Sequence, residues 1–246
     1  MAAITEHPCF NQPDNDVFVW RYFELDKFID LLISGQLNFA RADQFEDPYE
    51  GCLSLQNYNP EIIKHLLSQI PPDNKMKIIT QLDNLPLHAK YTSYISCWHM
   101  NNFESMAMWK LYSKTKNSIA IKCRYSKLIS VLPKRVYVGL VHYYDYENDI
   151  LPMNNLFYYV MSKRKEYMYE QEIRAVYSVP EIKNEKHFKI PVNLNQLIDT
   201  VYISPSCSSY FEQVVRDIIL KYGYSFQITK SELLRTPKQS LQKVVL

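Results

Sequence analysis

The sequence has no closely spaced pair of cysteines and no paired-histidine motif. Its 5 cysteines are odd in number and far apart, with no C-x-x-C pair: Cys9, Cys52, Cys97, Cys123 and Cys207. This pattern predicts reduced thiols in a cytoplasmic protein, and it argues against a disulfide framework or a zinc ribbon. The 6 histidines are scattered, and no H-E-x-x-H helix occurs. We therefore expect no protein-bound transition metal.

Long apolar runs are also missing. No stretch approaches the roughly 18 apolar residues of a membrane helix, so a membrane is not expected as a partner. The N-terminal segment carries Glu6, His7 and Pro8 where a signal peptide needs an apolar run. There is no Gly/Ser linker, internal repeat or low-complexity tract. We therefore predict one soluble domain spanning residues 1–246.

The charge balance excludes a strong bulk field of either sign. The formal net charge is +2, with 22% charged and 47% hydrophobic residues. These values predict an ordinary globular core and no bulk attraction to nucleic acid or membrane, although a local basic patch remains possible. Glycine is scarce, with 4 residues, whereas tyrosine is abundant, with 20. Tyrosine suits half-buried sheets, and it also lines grooves and stacks on bases.

Apolar patterns and punctuating residues predict an α+β fold. We expect one domain around a curved or split, largely antiparallel sheet with peripheral helices. Residues 1–16 are predicted to be an irregular lead-in, residues 60–89 a helical insertion broken at Pro71-Pro72, and residues 235–246 a flexible tail. Helix ends are predicted at Gly35 and Gly223. Strands are predicted over 17–22, 37–40, 91–98, 118–123, 135–144, 169–177, 188–192, 201–205 and 225–229, and helices over 104–112, 126–132, 152–165 and 209–222.

The segment 163–177 combines a basic stretch with a predicted strand. As a strand, it places Glu170, Glu172 and Arg174 on one face, and Tyr169 lies on the other. Carboxylates and a guanidinium on a strand that otherwise resembles core form a local inconsistency, which often marks a functional site. The alternative is a surface ion pair between Glu172 and Arg174, which contributes little.

Several segments together resemble the DUF2971 family, a group of mainly bacterial proteins of undefined function. The similarity runs from about residue 17 to about residue 234 in one order. The matching segments are Trp20-Arg21-Tyr22, 39–45, 47–50, Ser96-Cys97-Trp98, 108–112, 169–174 and Ile203-Ser204-Pro205. This resemblance gives a family but little chemistry.

The order of Arg21, Ser96 and Glu170/Glu172 also resembles the R-S-E layout of ADP-ribosyltransferases of the cholera-toxin type. The resemblance implies NAD as substrate. Glu172 would stabilise the oxocarbenium-like state as the nicotinamide–ribose bond breaks, and Glu170 would deprotonate or orient the acceptor. Arg21 would hold the diphosphate through forked hydrogen bonds, and Ser96 would position the ribose. The acceptor, a protein or a nucleic acid, is left open.

Three features of the layout leave alternatives. That class has S-T-S where this chain has Ser96-Cys97-Trp98. Arg41, in an Arg-Ala-Asp sequence, is an equal candidate for the phosphate contact. Stacking on nicotinamide or adenine is assigned to Tyr22, Trp98 or Trp109, each of which is equally suited to a core.

Two other classes of function remain possible. Asp43, Asp47 and Glu50 suit a hard cation such as Mg²⁺, although the same loop is typical of turn chemistry. In a nucleic-acid-binding or metal-dependent nuclease protein, cations would contact phosphates and tyrosines would stack on bases. These cations are Arg21, Arg41, Lys163, Arg164, Lys165 and Arg174. The third class is a non-enzymatic ligand sensor or interaction module.

Overall fold

The computed structural model describes residues 2–113 and 115–237. The strands are β1 (Phe18–Glu24), β2 (Gln36–Arg41), β3 (Ser93–Met100), β4 (Ser118–Arg124), β5 (Tyr137–Leu140), β6 (His142–Tyr144), β7 (Ser162–Arg164), β8 (Glu172–Ser178), β9 (His187–Pro191), β10 (Thr200–Ile203) and β11 (Gln227–Lys230). The helices are α1 (Leu25–Ser34), α2 (Pro60–Leu66), α3 (Pro72–Thr92), α4 (Met106–Tyr112), α5 (Tyr125–Val131), α6 (Phe157–Met161), α7 (Leu194–Leu197) and α8 (Phe211–Lys221), with 3₁₀ turns at Ala42–Gln44, Leu55–Tyr58 and Lys165–Glu170. The predicted α+β fold class is confirmed.

Strand β3 organises the large sheet and divides it. One edge of β3 pairs antiparallel with β8 along its length. The other edge is shared, because β2 pairs with Tyr94 and Ile95 whereas β1 pairs with His99 and Met100. The sheet extends through β4, β10 and β11 on the β1 side and through β9 on the β2 side. The predicted split, largely antiparallel sheet is therefore present, and Ser96–Trp98 lies at the split.

Helices cover both faces of this sheet. The main hydrophobic core lies between one face and helices α1, α5, α7 and α8, with Phe28, Leu128, Leu197 and Val215 among its members. Two smaller clusters lie on the opposite face, one including residues of α3 and α6 and the other including Met108 and Trp109 of α4. Charged groups beneath these helices are removed from water, so each needs a partner.

Helix ends follow the glycine signals. Gly35 follows α1 at φ 61°, and its N–H donates to the Leu31 carbonyl at 2.9 Å. Gly223 has φ 80° just beyond α8. Glycine adopts this left-handed conformation without the steric cost of a Cβ atom. The break at Pro71-Pro72 is also confirmed, since α3 begins at Pro72.

Two predicted elements around the second sheet are wrong. The single strand predicted for 135–144 is two short strands, of which β5 pairs with β8 and β6 pairs parallel with β7. The Val141 N–H makes the last bond to β8, to the Glu172 carbonyl at 3.0 Å, and β6 begins at the next residue. The helix predicted for 152–165 is confined to α6, because Ser162–Arg164 forms β7.

The strand predicted for 169–177 begins later, at Glu172. Residues Lys165–Glu170 form a 3₁₀ turn, and Gln171 has φ 41°, a left-handed conformation that redirects the chain into β8. Glu170 and Glu172 therefore do not share a strand face by alternation. The turn is fixed because the Gln171 N–H donates to Met168 and its carbonyl accepts from the Met100 N–H.

The two ends of the chain differ from the central elements. The lead-in is irregular, but Cys9 and Phe10 are buried in it and Ile4 forms a parallel bridge with Tyr137. Of the tail predicted for 235–246, residues 238–246 lie outside the described residues. No helix within 2–113 and 115–237 has both the length and the apolar character needed to cross a membrane.

Candidate active site

Arg21 occupies the split in the sheet. Its guanidinium donates to Ser96 Oγ at 2.5 Å and to the Asn38 carbonyl at 2.8 Å, which links β1 to β3 and β2. The indole N–H of Trp98 donates to the same Ser96 oxygen at 3.1 Å. The predicted pair Arg21 and Ser96 is therefore in direct contact, at the point where two strands diverge.

The charge of Arg21 is not neutralised locally. Among residues 2–113 and 115–237 its guanidinium forms no ion pair, since Glu24 contacts Thr115 and the acids of the 47–50 loop contact other cations. Burial lowers the pKa of Arg21 to about 10, with Cys97 and Tyr112 acting in the opposite direction. A part-buried guanidinium without a carboxylate is suited to bind an anion.

The second half of the candidate site is a buried ionic cluster, here called the carboxylate cluster. It consists of Glu50, Glu170, Glu172, Lys163 and Arg174. Arg174 makes forked contacts to Glu50 at 2.7 and 2.9 Å and to Glu172 at 3.0 Å on both oxygens. Lys163 lies 2.6 Å from Glu170, 3.5 Å from Glu172 and 3.7 Å from Glu50. Three carboxylates face two cations, so the cluster has an excess of negative charge.

The two glutamates of the E-x-E pair have pKa values shifted in opposite directions. Burial acts to raise the pKa of Glu172, but the charges of Arg174 and Lys163 outweigh it and hold that pKa well below its usual range. Burial raises the pKa of Glu170, and there Lys163 offsets it only in part. Opposite shifts in neighbouring carboxyl groups are typical of sites in which one group stays anionic and the other exchanges a proton.

Cys97 and Tyr112 lie close to both Arg21 and the carboxylate cluster. Burial and then the charge of Glu172 raise the pKa of the Cys97 thiol. Burial and then the charges of Glu170 and Glu172 raise the pKa of Tyr112. Tyr112 is nonetheless 45% exposed. The side chain is therefore near the carboxylates and also accessible from solvent.

Strand alternation separates Ser96 from the glutamates. Ser96 pairs with Ala175, Cys97 with Arg174 and His99 with Glu172 in the β3–β8 register. Directly opposite residues share a face, so Cys97 and His99 lie on the Glu172 face and Ser96 lies on the other. The predicted residues thus form two sets, Arg21 with Ser96 and Glu170 with Glu172, which both lie close to Cys97 and Tyr112.

The other predicted ligand-binding residues have internal partners. Tyr22, Trp98 and Trp109 are buried: Tyr22 Oη accepts from the Ser105 N–H at 3.0 Å, Trp98 belongs to the main core, and the Trp109 indole donates to Glu104 at 3.0 Å. Arg41 pairs with Asp43 at 2.6 Å and donates to the Lys183 carbonyl.

The outer rim of the carboxylate cluster contains further predicted residues. Asp47 pairs with Arg164 at 2.9 Å, and the Arg164 guanidinium lies 4.2 Å from the centre of the Tyr49 ring. Tyr169 is half exposed and stacks loosely with Tyr167. The surface ion pair suggested for Glu172 and Arg174 is instead fully buried.

Lys163 and His99 are functional candidates that sequence reasoning did not place at the carboxylate site. Lys163 was grouped with phosphate-binding cations, yet it neutralises the glutamates. His99 Nδ1 lies 2.6 Å from the Glu170 carbonyl, and burial lowers the pKa of His99, so the neutral ring donates this hydrogen bond. No sequence signal identifies either residue, because Lys163 begins the charged run Lys163-Arg164-Lys165-Glu166 in a predicted helix and His99 follows the end of a predicted strand.

Comparisons with known proteins found similar solved structures but no matching family. No family model matches the chain, so the DUF2971 resemblance has no support from that comparison, and no curated protein matches either. Two solved structures are similar to this chain: DarT from Thermus sp. 2.9 in complex with NAD⁺ (8% identity) and in complex with ADP-ribosylated ssDNA (9% identity). Each has a TM-score of 0.42 and covers 90% of this chain, with 98% and 97% of the respective DarT chain aligned. Similarity at this level does not establish function.

No group of three or more His, Cys, Asp or Glu side chains in the described ranges is arranged to hold a metal ion. Within the loop considered for Mg²⁺, Asp43, Asp47 and Glu50 bind three different arginines, namely Arg41, Arg164 and Arg174.

Proposed function

We propose that this protein cleaves the nicotinamide–ribose bond of NAD and passes ADP-ribose to an acceptor or to water. The observation that carries the proposal is that Arg21, without a carboxylate partner in the described chain, and the Glu170–Glu172 pair both lie close to Cys97 and Tyr112. A diphosphate needs a cation, and a developing oxocarbenium ion needs an anion. We assign Arg21 to the first need and Glu172 to the second.

Glu172 is the stabilising anion. When the bond to nicotinamide breaks, its electron pair leaves with nicotinamide and positive charge develops on the ribose. Glu172 remains ionised because Arg174 and Lys163 lower its pKa. A preorganised charge of this kind stabilises the transition state without reorganisation during the reaction.

Glu170 is assigned to deprotonating or orienting the acceptor. Its raised pKa brings it closer to the range in which a carboxylate accepts a proton efficiently. It lies at the end of the 3₁₀ turn whose residues Met168 and Tyr169 are exposed, so an acceptor can approach from that side. Arg21 is assigned to the diphosphate in preference to Arg41, since Asp43 already neutralises Arg41.

The half-exposed ring of Tyr112 is assigned to stacking on nicotinamide. Tyr22, Trp98 and Trp109 are less suited to this role because they are buried. Tyr112 also lies close enough to both glutamates for their charges to raise the pKa of its hydroxyl.

The test is nicotinamide release from NAD by the purified protein, with and without cell extract. Glu172→Gln is expected to lower release by about 10²–10³-fold, the usual cost of removing one preorganised transition-state contact. Glu50→Gln is the matched control, because it removes another carboxylate bound by Arg174 that is not adjacent to Cys97. It should retain most of the activity.

Two outcomes separate this proposal from its alternatives. Equal loss in Glu50→Gln and Glu172→Gln, in protein with native circular dichroism, would assign the glutamates to structure. No release from wild type under any condition would remove the NAD chemistry altogether. NAD binding without release would then favour the ligand-sensing module.

A further inference from the structure

A second charged surface lies on strands β1, β4 and β10, outside the candidate active site. The side chains of Lys122 and Arg124 both lie against the ring of Phe18. Lys122 Nζ is 3.7 Å and Arg124 Cζ is 3.8 Å from the ring centre. Together with Tyr202 these residues are here called the β4 face. All four are at least partly exposed to solvent.

The cations of the β4 face are not neutralised. Neither Lys122 nor Arg124 forms an ion pair within residues 2–113 and 115–237; Arg124 Nη1 donates to the Asp16 backbone carbonyl at 2.8 Å. The nearby Asp199 carboxylate accepts from Lys127 and from the Arg124 backbone N–H. Burial and repulsion from Arg124 lower the pKa of Lys122. A bound anion would reduce the repulsion between the two cations.

Apart from Arg21, which is assigned to the candidate active site, the other cations on which a nucleic-acid function was considered differ from this surface. Arg41, Lys163, Arg164, Lys165 and Arg174 are each paired with a carboxylate. Lys122 and Arg124 hold two unpaired charges within contact of one ring. They therefore have the stronger attraction for phosphate.

Aromatic groups accompany these charges on the partly exposed part of the sheet face, beside the part that α4 covers with Met108 and Trp109. Tyr202 lies one row from Lys122 and packs on Trp20, with ring centres 4.8 Å apart. The Arg124 guanidinium is held against Phe18 and is exposed on the residue's outer side. Unpaired bases stack on aromatic rings and on guanidinium planes, and phosphates bind the adjacent cations.

The sheet register connects this face to the candidate active site. Thr200, Lys122, Trp20, His99 and Glu172 stand directly opposite one another in successive strands, so they form one row on one face. Lys122 and Glu172 are separated by three strand spacings, about 14 Å. Trp20 and His99, which lie between them in this row, are buried, so the exposed β4 face and the candidate active site are separate parts of the same sheet face.

We propose that the β4 face binds single-stranded nucleic acid. The flat face, with cations and rings interleaved, suits exposed bases better than a duplex, whose bases are stacked internally. Binding does not require NAD turnover, and failure of the NAD proposal would leave this one standing.

The test is fluorescence anisotropy with labelled oligothymidylate and oligouridylate over a salt series, in the absence of NAD. Lys122→Gln/Arg124→Gln is expected to weaken binding and to reduce the slope of log affinity against log salt by about 1.4, because each phosphate contact to a single strand contributes about 0.7. Tyr202→Leu should weaken binding by about fivefold or more at an unchanged slope. The two probes distinguish DNA from RNA.

Lys189→Gln/Arg216→Gln is the matched control. It removes the same two charges from exposed ion pairs, one on β9 and one on α8, and should bind as wild type does. Equal weakening by this control would overturn the proposal, as would wild-type affinity in Lys122→Gln/Arg124→Gln. If inorganic polyphosphate bound as tightly as the oligonucleotides and Tyr202→Leu had no effect, the proposal would also be overturned. The β4 face would then be a general anion site. If Lys122→Gln/Arg124→Gln weakened binding to phosphatidylserine vesicles but not to the oligonucleotides, the β4 face would be reassigned to membrane binding.

Discussion

Arg174 is the residue on which the stability of the candidate active site depends most. Its guanidinium makes four contacts of 2.7–3.0 Å with Glu50 and Glu172 and donates to the Val160 carbonyl at 2.6 Å. The side chain is 1% exposed. Arg174→Met has similar length and no charge. It would leave three buried carboxylates with Lys163 as the remaining cation of the cluster.

The expected loss is large because the partners stay behind. Removing one member of a buried ion pair typically costs 3–5 kcal/mol, since the other charge is left without compensation. Arg174 serves two carboxylates, so we expect a loss of unfolding free energy at pH 7 of at least about 3 kcal/mol. Arg216→Met makes the same substitution in an exposed pair with Glu212 and should cost about 0.5 kcal/mol or less.

The loss should depend on pH in a defined direction. In wild type the pKa of Glu172 is lowered on folding, so its contribution is complete above the unfolded value of about 4.3 and is lost as pH falls through the lower folded value. In Arg174→Met, burial prevails and the folded pKa of Glu172 rises above about 4.3. The variant therefore gains stability as pH falls, and its deficit narrows between pH 7 and about pH 4.

Urea unfolding at pH 7.5, 6 and 5, followed by circular dichroism, measures both quantities. Glu50→Gln added to Arg174→Met should recover part of the loss, because it removes one uncompensated charge. A deficit below about 1 kcal/mol, or one that stays constant with pH, would refute the view that uncompensated carboxylates control the stability of this cluster.

Two other predictions concern the surroundings of the site. Gly139→Ala should lower stability by about 1–3 kcal/mol in thermal unfolding, since the new Cβ would lie 2.7 Å from the Phe10 backbone, and an unchanged melting temperature would contradict this close approach. His99 has a pKa lowered by burial, so its contribution is present above its unfolded value of about 6.5 and is lost as pH falls below it. His99→Gln should flatten the stability profile of the protein between pH 7.5 and 5; an identical profile would mean that His99 does not titrate on unfolding.

The residue types of the candidate site were readable from the sequence, but their local geometry was not. Glu170 and Glu172 were singled out as a pair, and both lie near Lys163. The reason given, alternation along one strand, is wrong, because Glu170 ends a 3₁₀ turn and Gln171 is left-handed. Alternating Tyr and Glu residues match a strand pattern. The contact to Lys163 and the hydrogen bond to His99, both made outside that pattern, stabilise the turn.

The ion-pair partners of these residues were even harder to predict from the sequence than their local geometry. The pairing of Arg174 with Glu50 joins residues far apart in the chain, and the sequence analysis named neither of them as the other's partner. The structure also places Arg21 at the split, where β1 and β2 share one edge of β3. Strand register determines which side chains meet, and register is a property of the assembled sheet.

By itself the sequence determined the elements whose causes are local. Apolar periodicity fixed the fold class, and Gly35, Gly223 and Pro71-Pro72 fixed where helices end and begin, because backbone conformation at glycine and proline depends on the residue itself. The tertiary structure alone decided that Cys97 rather than Ser96 faces Glu172, that the E-x-E carboxylates are buried with two cations, and that Lys122 and Arg124 stand unpaired on a partly exposed face. These outcomes depend on burial and on long-range pairing, which no short segment encodes.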